Sequence, residues 1–160
     1  MAAEMKADGM EELSEMLEAI GNAAPAIASR ALYEGAGVMA KEINDAARSI
    51  STAPFKYASG DAVRMPSPEE KEALLSVGVG VAKFDKNGTE VNTSVGYGNT
   101  GYADINGRRK PIPLIANAIN SGTSFMQKQP FVRRAVKSGS TKAMQAMKEA
   151  MEAEVSAMTK

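Results

Sequence analysis

Ile27, Ala31, Gly35, Met39, Ile43, Ala46 and Ile50 recur at steps of three and four. Only a helix places such positions on one side, so this stripe predicts a long amphipathic helix from about Ala24 to Ile50. Pro25 suits its first turn, where the missing N–H has no partner to lose. Gly35 lies on the stripe. It either packs or kinks the helix, or lets a second backbone approach closely. Upstream, Met10, Leu13, Leu17 and Ile20 form one face of MEELSEMLEAI, with glutamates opposite. Gly21-Asn22 is expected to end that helix. Residues 1–23 therefore read as an N-terminal helical extension, and 24–160 as a single domain.

The middle of the chain changes period. Residues 51–68 hold Pro54, Gly60, Pro66 and Pro68 with no apolar repeat, and are expected to form a long loop of functional or mobile character. Ser67-Pro68-Glu69-Glu70 has the chemistry of a helix start, and that helix is expected to end near Leu75. Val77, Val79 and Val81 alternate with glycines, Thr89 to Tyr97 alternate in return, and Asn87-Gly88 lies between. That is a hairpin signal. The glycines of its first strand suggest that something packs closely there. Residues 98–113 read as irregular and basic. Leu114–Ile119 fits helix or strand. Ser138-Gly139-Ser140 is expected to break the chain before a final amphipathic helix from Thr141, with Met144, Met147, Met151, Val155 and Met158 along it. The expected fold is α+β: long helices packed on a small antiparallel β-sheet hairpin, with an amphipathic C-terminal helix.

Charge is sorted along the chain although the total is zero. Residues 1–50 carry nine acids against four bases, and residues 101–142 carry eight bases against one acid, Asp104. Such a chain can pair head to tail with its own copies, or offer a basic patch to nucleic acid. With no Cys and no His, disulfides, thiolate nucleophiles, imidazole bases and Ser-His-Asp triads are excluded. No Ser is followed three residues later by Lys. The N-terminus is acidic without a signal-like apolar core, and no apolar run approaches a membrane span. The 11 Met and many Ala, with no Trp, suit small, closely packed helix faces filled by flexible side chains.

Two apparent motifs fail on context. GYGNTG (Gly96–Gly101) matches G-x-G-x-x-G after a strand, but a proline-bearing, turn-rich segment follows where the phosphate-holding helix should begin. DKNGTE (Asp85–Glu90) lacks the further oxygen ligands of a calcium loop, and a tight turn explains it. No catalytic, cofactor-binding or metal-binding residues are expected, and no enzyme. A carboxylate-based activity would need acids brought together in space. The basic residues remain: Arg108, Arg109 and Lys110 near Tyr97 and Tyr102, then Arg133, Arg134 and Lys137. They read as a subunit or partner interface, or alternatively as a small nucleic-acid-binding or packaging-associated module.

The segment NSGTSFMQKQPFVRRAV resembles the most recognisable stretch of the gene-product-ten family of neck, or tail-completion, proteins of long-tailed phages. That stretch is a Gly-Thr turn, a short variable loop, then Pro-Phe-hydrophobic-Arg leading into a helix. Here it is Gly122-Thr123, Ser124–Gln129 and Pro130-Phe131-Val132-Arg133. The family's hairpin after a long helix fits Thr89–Tyr97 and its partner strand. Departures are Asn120-Ser121, where the family usually has Glu and an aromatic, and Arg134, where a proline is common. The resemblance implies a structural virion protein at the head–tail junction, assembled in the host cytoplasm. It implies a hexameric or dodecameric ring, with no cofactor and no membrane. Its partners would be the tail terminator or tail tube and the head connector proteins, with genome DNA passing non-specifically through the lumen. Apart from the family, Pro130 should fix the backbone before a helix and Phe131 should anchor it by burial. Arg133 and Arg134 face the unfavourable end of the helix dipole unless acids meet them, and carboxylates in a neighbour's acidic N-terminal half are the expected ones.

Overall fold

A computed structural model describes residues 10–56, 60, 62–87, 90–98 and 101–159. Its first element, α1 (Met10–Arg48), is one helix of 39 residues, roughly 58 Å long at 1.5 Å per residue. The expected break at Gly21-Asn22 is not there, and Pro25 lies inside the helix. Pro25 cannot donate to the Gly21 carbonyl, yet the strong helix formers on both sides carry the helix through.

The α1 helix pairs with α4 (Phe131–Met158) in an antiparallel sense, as Arg30 meets Glu154 and Glu42 meets Lys142. The helix α4 also overrides an expected break. Gly139 lies within it, buried against α1, where an added Cβ would stand 2.8 Å from Glu42 Cγ. Gly35 plays the matching part on α1: a Cβ there would stand 2.7 Å from Met147 Sδ and 3.2 Å from the Ala143 carbonyl. The close-approach reading of Gly35 is the one the packing bears out.

Between the long helices come α2 (Pro68–Val77), three two-stranded antiparallel ladders and α3 (Ile112–Ser121). The expected hairpin forms as two ladders. β1 (Gly80–Val81) pairs with β4 (Val95–Gly96), and β2 (Asp85–Asn87) with β3 (Glu90–Asn92). Residues 82–84 face only 93–94 between them, a bulge that splits one hairpin in two. Of the expected Asn87-Gly88 turn, Asn87 ends β2 and Gly88 lies outside the described residues. Of the glycines in the expected first strand, Gly80 faces open space within the described chain, and an added Cβ on Gly78 would stand at ordinary contact distance, 3.6 Å, from Asn44 of α1. Gly78 also caps α2 at φ 68°.

The region read as irregular holds the third ladder, β5 (Tyr102–Ile105) against β6 (Arg108–Pro111). Its turn is Asn106-Gly107, with φ 51° and 73°. Positive φ at both central residues is what a twisted two-residue hairpin requires. Here α3, undecided from sequence, is a helix. The core joins the second half of α1 to α2, α3 and the start of α4 through Ile50, Leu74, Ile112, Ile119 and Phe131. The architecture is α+β with a C-terminal helix. Among the described residues no helix is long and apolar enough to cross a membrane.

Candidate functional site

The Gly-Thr to Pro-Phe segment is a structural clasp. Gly122 ends α3 at φ 77°, its N–H bonded to the Ala118 carbonyl at 2.9 Å. A Cβ there would stand 2.9 Å from Lys128 Cβ and 3.2 Å from Lys128 backbone atoms, so only glycine makes the turn without strain. The Thr123 hydroxyl accepts from Met126 N–H at 3.0 Å and closes the loop. The strand-like end of that loop runs beside Arg64: Arg64 N–H donates to the Phe125 carbonyl and Gln127 N–H to the Arg64 carbonyl, both at 2.9 Å. Gln129 then holds the 51–67 loop at its other end. Its side chain accepts from Ser51 N–H at 2.9 Å and donates to the Ser51 carbonyl at 2.8 Å.

Pro130 precedes α4 without any side-chain cap. Asn120 supplies one from a distance, its Oδ1 accepting from Val132 N–H at 3.2 Å. Phe131 is 0% exposed and meets the Tyr97 ring edge-on at 6.4 Å. The burial expected of Phe131 is what the structure shows. Burial pushes the Tyr97 hydroxyl up to about 12.

A second constellation is built around Glu70. Glu70 is 1% exposed and accepts two hydrogen bonds from the Arg64 guanidinium, both 2.7 Å, and one from Ser67 N–H at 2.9 Å. Lys110 Nζ lies 3.6 Å away, and the Arg64 guanidinium covers the Phe55 ring at 4.8 Å. Burial raises the Glu70 carboxyl, but the bonds from Arg64 and the Ser67 backbone outweigh it and hold the group below its ordinary value. A carboxylate so firmly ionised and paired is a poor general base at neutral pH. Above it lies a cleft of about 210 Å³ walled by Leu114, Ile115, Ala118, Phe125 and Met126. The signal that could have found Glu70 is Ser67-x-x-Glu70, a capping box whose two reciprocal bonds both form. Nothing in the loop pattern marked Arg64.

The six candidate interface cations separate into two groups. Arg108, Arg109 and Lys110 lie on β6, not in a loop. Lys110 belongs to the Glu70 cluster, and Arg109 stacks over the exposed Tyr102 ring at 4.6 Å. Arg133, Arg134 and Lys137 project from the first turns of α4, exposed, with no ion pair among the described residues. Of the residues in the recognisable segment, Gly122, Thr123, Pro130 and Phe131 shape the fold, and Arg133 faces outward. Among the described residues no group of three or more acids is placed to hold a metal ion. No family model, curated protein or solved structure matches the chain.

Proposed function

We propose that this chain is a structural virion protein of the phage head–tail junction, whose copies form a ring that completes the tail or joins it to the head. The resemblance of Gly122–Arg133 to the neck family suggests the role. The observation that carries it is the sorting of unpaired charge onto opposite parts of the molecule. Glu11, Glu12, Glu15 and Glu18 stand on the exposed start of α1, and Arg133, Arg134 and Lys137 on the exposed start of α4. Head-to-tail contacts between such surfaces close into rings when the rotation permits. The ring is hexameric or dodecameric in this reading. It contacts the tail terminator or tube on one side and the head connector on the other. Genome DNA passes through the lumen without specific recognition.

Native mass spectrometry with and without a short DNA duplex tests the proposal. A discrete six- or twelve-fold species indifferent to DNA supports it. A monomer that takes up DNA favours a nucleic-acid-binding module, for which exposed Tyr102 beside Arg108 and Arg109 is the supporting feature. Its affinity would then fall steeply with salt.

A further inference from the structure

Leu114 and Phe125 are large apolar residues left 58% and 50% exposed, and both stand on the cleft beside Glu70. The helix α3 buries Ile112, Ile115, Ala116 and Ile119 in the core and leaves Leu114 on its outer side. Phe125 lies in the loop that the Thr123 hydroxyl closes. The hollow they wall, about 210 Å³, has room for one large side chain. A shallower groove bearing Val63 and Lys128 adjoins it, because the two share Thr123 and Met126. Val63 is 53% exposed, so the apolar surface continues from one to the other. Apolar surface gathered around a hollow in this way marks a contact site.

The charge beside the cleft is unbalanced. Glu70 already accepts two bonds from Arg64 and one from the Ser67 N–H. Lys110 also lines the cleft, and its Nζ is 3.6 Å from the same carboxylate, too far for a hydrogen bond. Its three donors therefore have no acceptor among the described residues. Two cations against one acid leave one positive charge over, and Lys128 adds another on the adjoining groove. Among the described residues Glu70 is the only acid on either surface. An ammonium at the side of an apolar hollow is complementary to an apolar group with a carboxylate next to it.

We infer that this cleft is a docking site for an acidic segment of a partner protein. One large apolar side chain of the segment fills the hollow, and an adjacent Asp or Glu meets Lys110. A side chain set in a pocket and ringed by apolar contacts is the usual anchor of a protein interface. The exposed rim at Val63, Leu114 and Phe125 extends past the hollow and gives the rest of the segment an apolar bed. A small ligand held in the hollow would leave that rim in water. Arg64 and Glu70 are positioning residues, because their pair fixes the carboxylate that keeps Lys110 at the cleft. Docking here does not depend on the ring.

Amide chemical shifts of the whole chain test it, with three end-blocked peptides as probes: Gly-Glu-Phe-Glu-Gly, Gly-Gln-Phe-Gln-Gly and Gly-Glu-Ala-Glu-Gly. The first is expected to move the Ala118, Thr123 and Phe125 amides saturably. The glutamine peptide should bind about two- to fivefold more weakly, the scale of one solvent-accessible ion pair, and the alanine peptide should not saturate. Lys110→Met keeps the aliphatic stem and the Arg64–Glu70 pair, and should abolish the preference for Glu over Gln. Leu114→Asp changes an exposed residue in the first turn of α3, where a carboxylate suits the helix dipole, and should abolish all binding. No saturable shift, equal binding of the Glu and Gln peptides, or a preference that survives Lys110→Met overturns the inference. So does 3-phenylpropionate binding as tightly as the first peptide, which would make the cleft a small-anion site. Native mass spectra of Leu114→Asp separate the site from the ring. An intact ring keeps both, whereas a ring lost with this variant would make a second copy the occupant and overturn the partner segment. Peptide binding by a chain that forms no ring keeps the site and overturns the ring.

Discussion

Gly35 of α1 lies directly under the Met147 side chain of α4: a Cβ on Gly35 would stand 2.7 Å from the Met147 sulfur. Gly139 repeats the arrangement from the other helix, against Glu42. The two long helices therefore meet through one glycine from each, and the closeness of their axes depends on both. Gly35→Leu is expected to destabilise the protein by about 1–3 kcal/mol through overpacking, lowering Tm by roughly 2–10 °C for a chain of this size. Met147→Ala in the same chain should recover part of the loss, because the flexible side chain is the first obstacle. Thermal melts of the single and double variants measure both. Equal melting of the two would refute the contact.

Phe131 joins the end of the Gly-Thr clasp to the core, and its ring is closed off by Tyr97 and the α1–α3 side chains. Phe131→Ala should cost about 3–5 kcal/mol, and Phe131→Leu markedly less. Urea unfolding reads the difference. An alanine variant as stable as the parent would remove Phe131 as the anchor of α4.

Glu70 gives the protein an acid-sensitive joint between the 51–67 loop, α2 and β6. Its carboxyl is held below the ordinary value of 4.5 in the folded state. The stability it contributes is therefore fully present above that value, and is lost as pH falls from there through the folded-state pKa. Glu70→Gln leaves the part-buried Arg64 guanidinium without its counter-charge, and should cost about 3 kcal/mol at neutral pH. It should also flatten the acid limb of the stability–pH curve. Urea midpoints between pH 3 and 7 for both proteins test the sign. A variant that keeps the parental acid slope would place the acid sensitivity elsewhere.

What the sequence disclosed depended on the range of the interaction involved. The stripe on α1, the Ser67 helix start and the burial of Phe131 are local patterns, and each is where the spacing put it. The errors share one cause. Gly21-Asn22, Pro25 and Gly139 carry breaking propensities of about 1–3 kcal/mol, which long helices and interhelical packing override. Gly139 could not be told from a break because its reason is Glu42, almost a hundred residues away. Asn106-Gly107 is a different case. It carries the same hairpin chemistry as Asn87-Gly88, but β6 beside it reads Arg-Arg-Lys-Pro and neither flanking strand shows an apolar alternation. Pairing there comes from the turn and from packing of Ile105 into the core. The Arg64–Glu70–Lys110 cluster draws on a loop, a helix and a strand, and no window of sequence contains it.

Arg133 and Arg134 separate fold from assembly. Both are exposed, and neither forms an ion pair among the described residues. Arginines in the first turn of a helix oppose its dipole by roughly 0.3–1 kcal/mol each. Replacing both with Glu should therefore leave the monomer as stable or slightly more stable, by up to about 1 kcal/mol. The same change places two negative charges where, in the proposed ring, the acidic start of a neighbour's α1 is expected to meet α4, so self-association should weaken by about tenfold or more. Sedimentation at several concentrations, run beside thermal melts, measures the two effects separately. Lower stability with unchanged association would assign these arginines to the fold. Higher stability with lost association would assign them to the contact between copies.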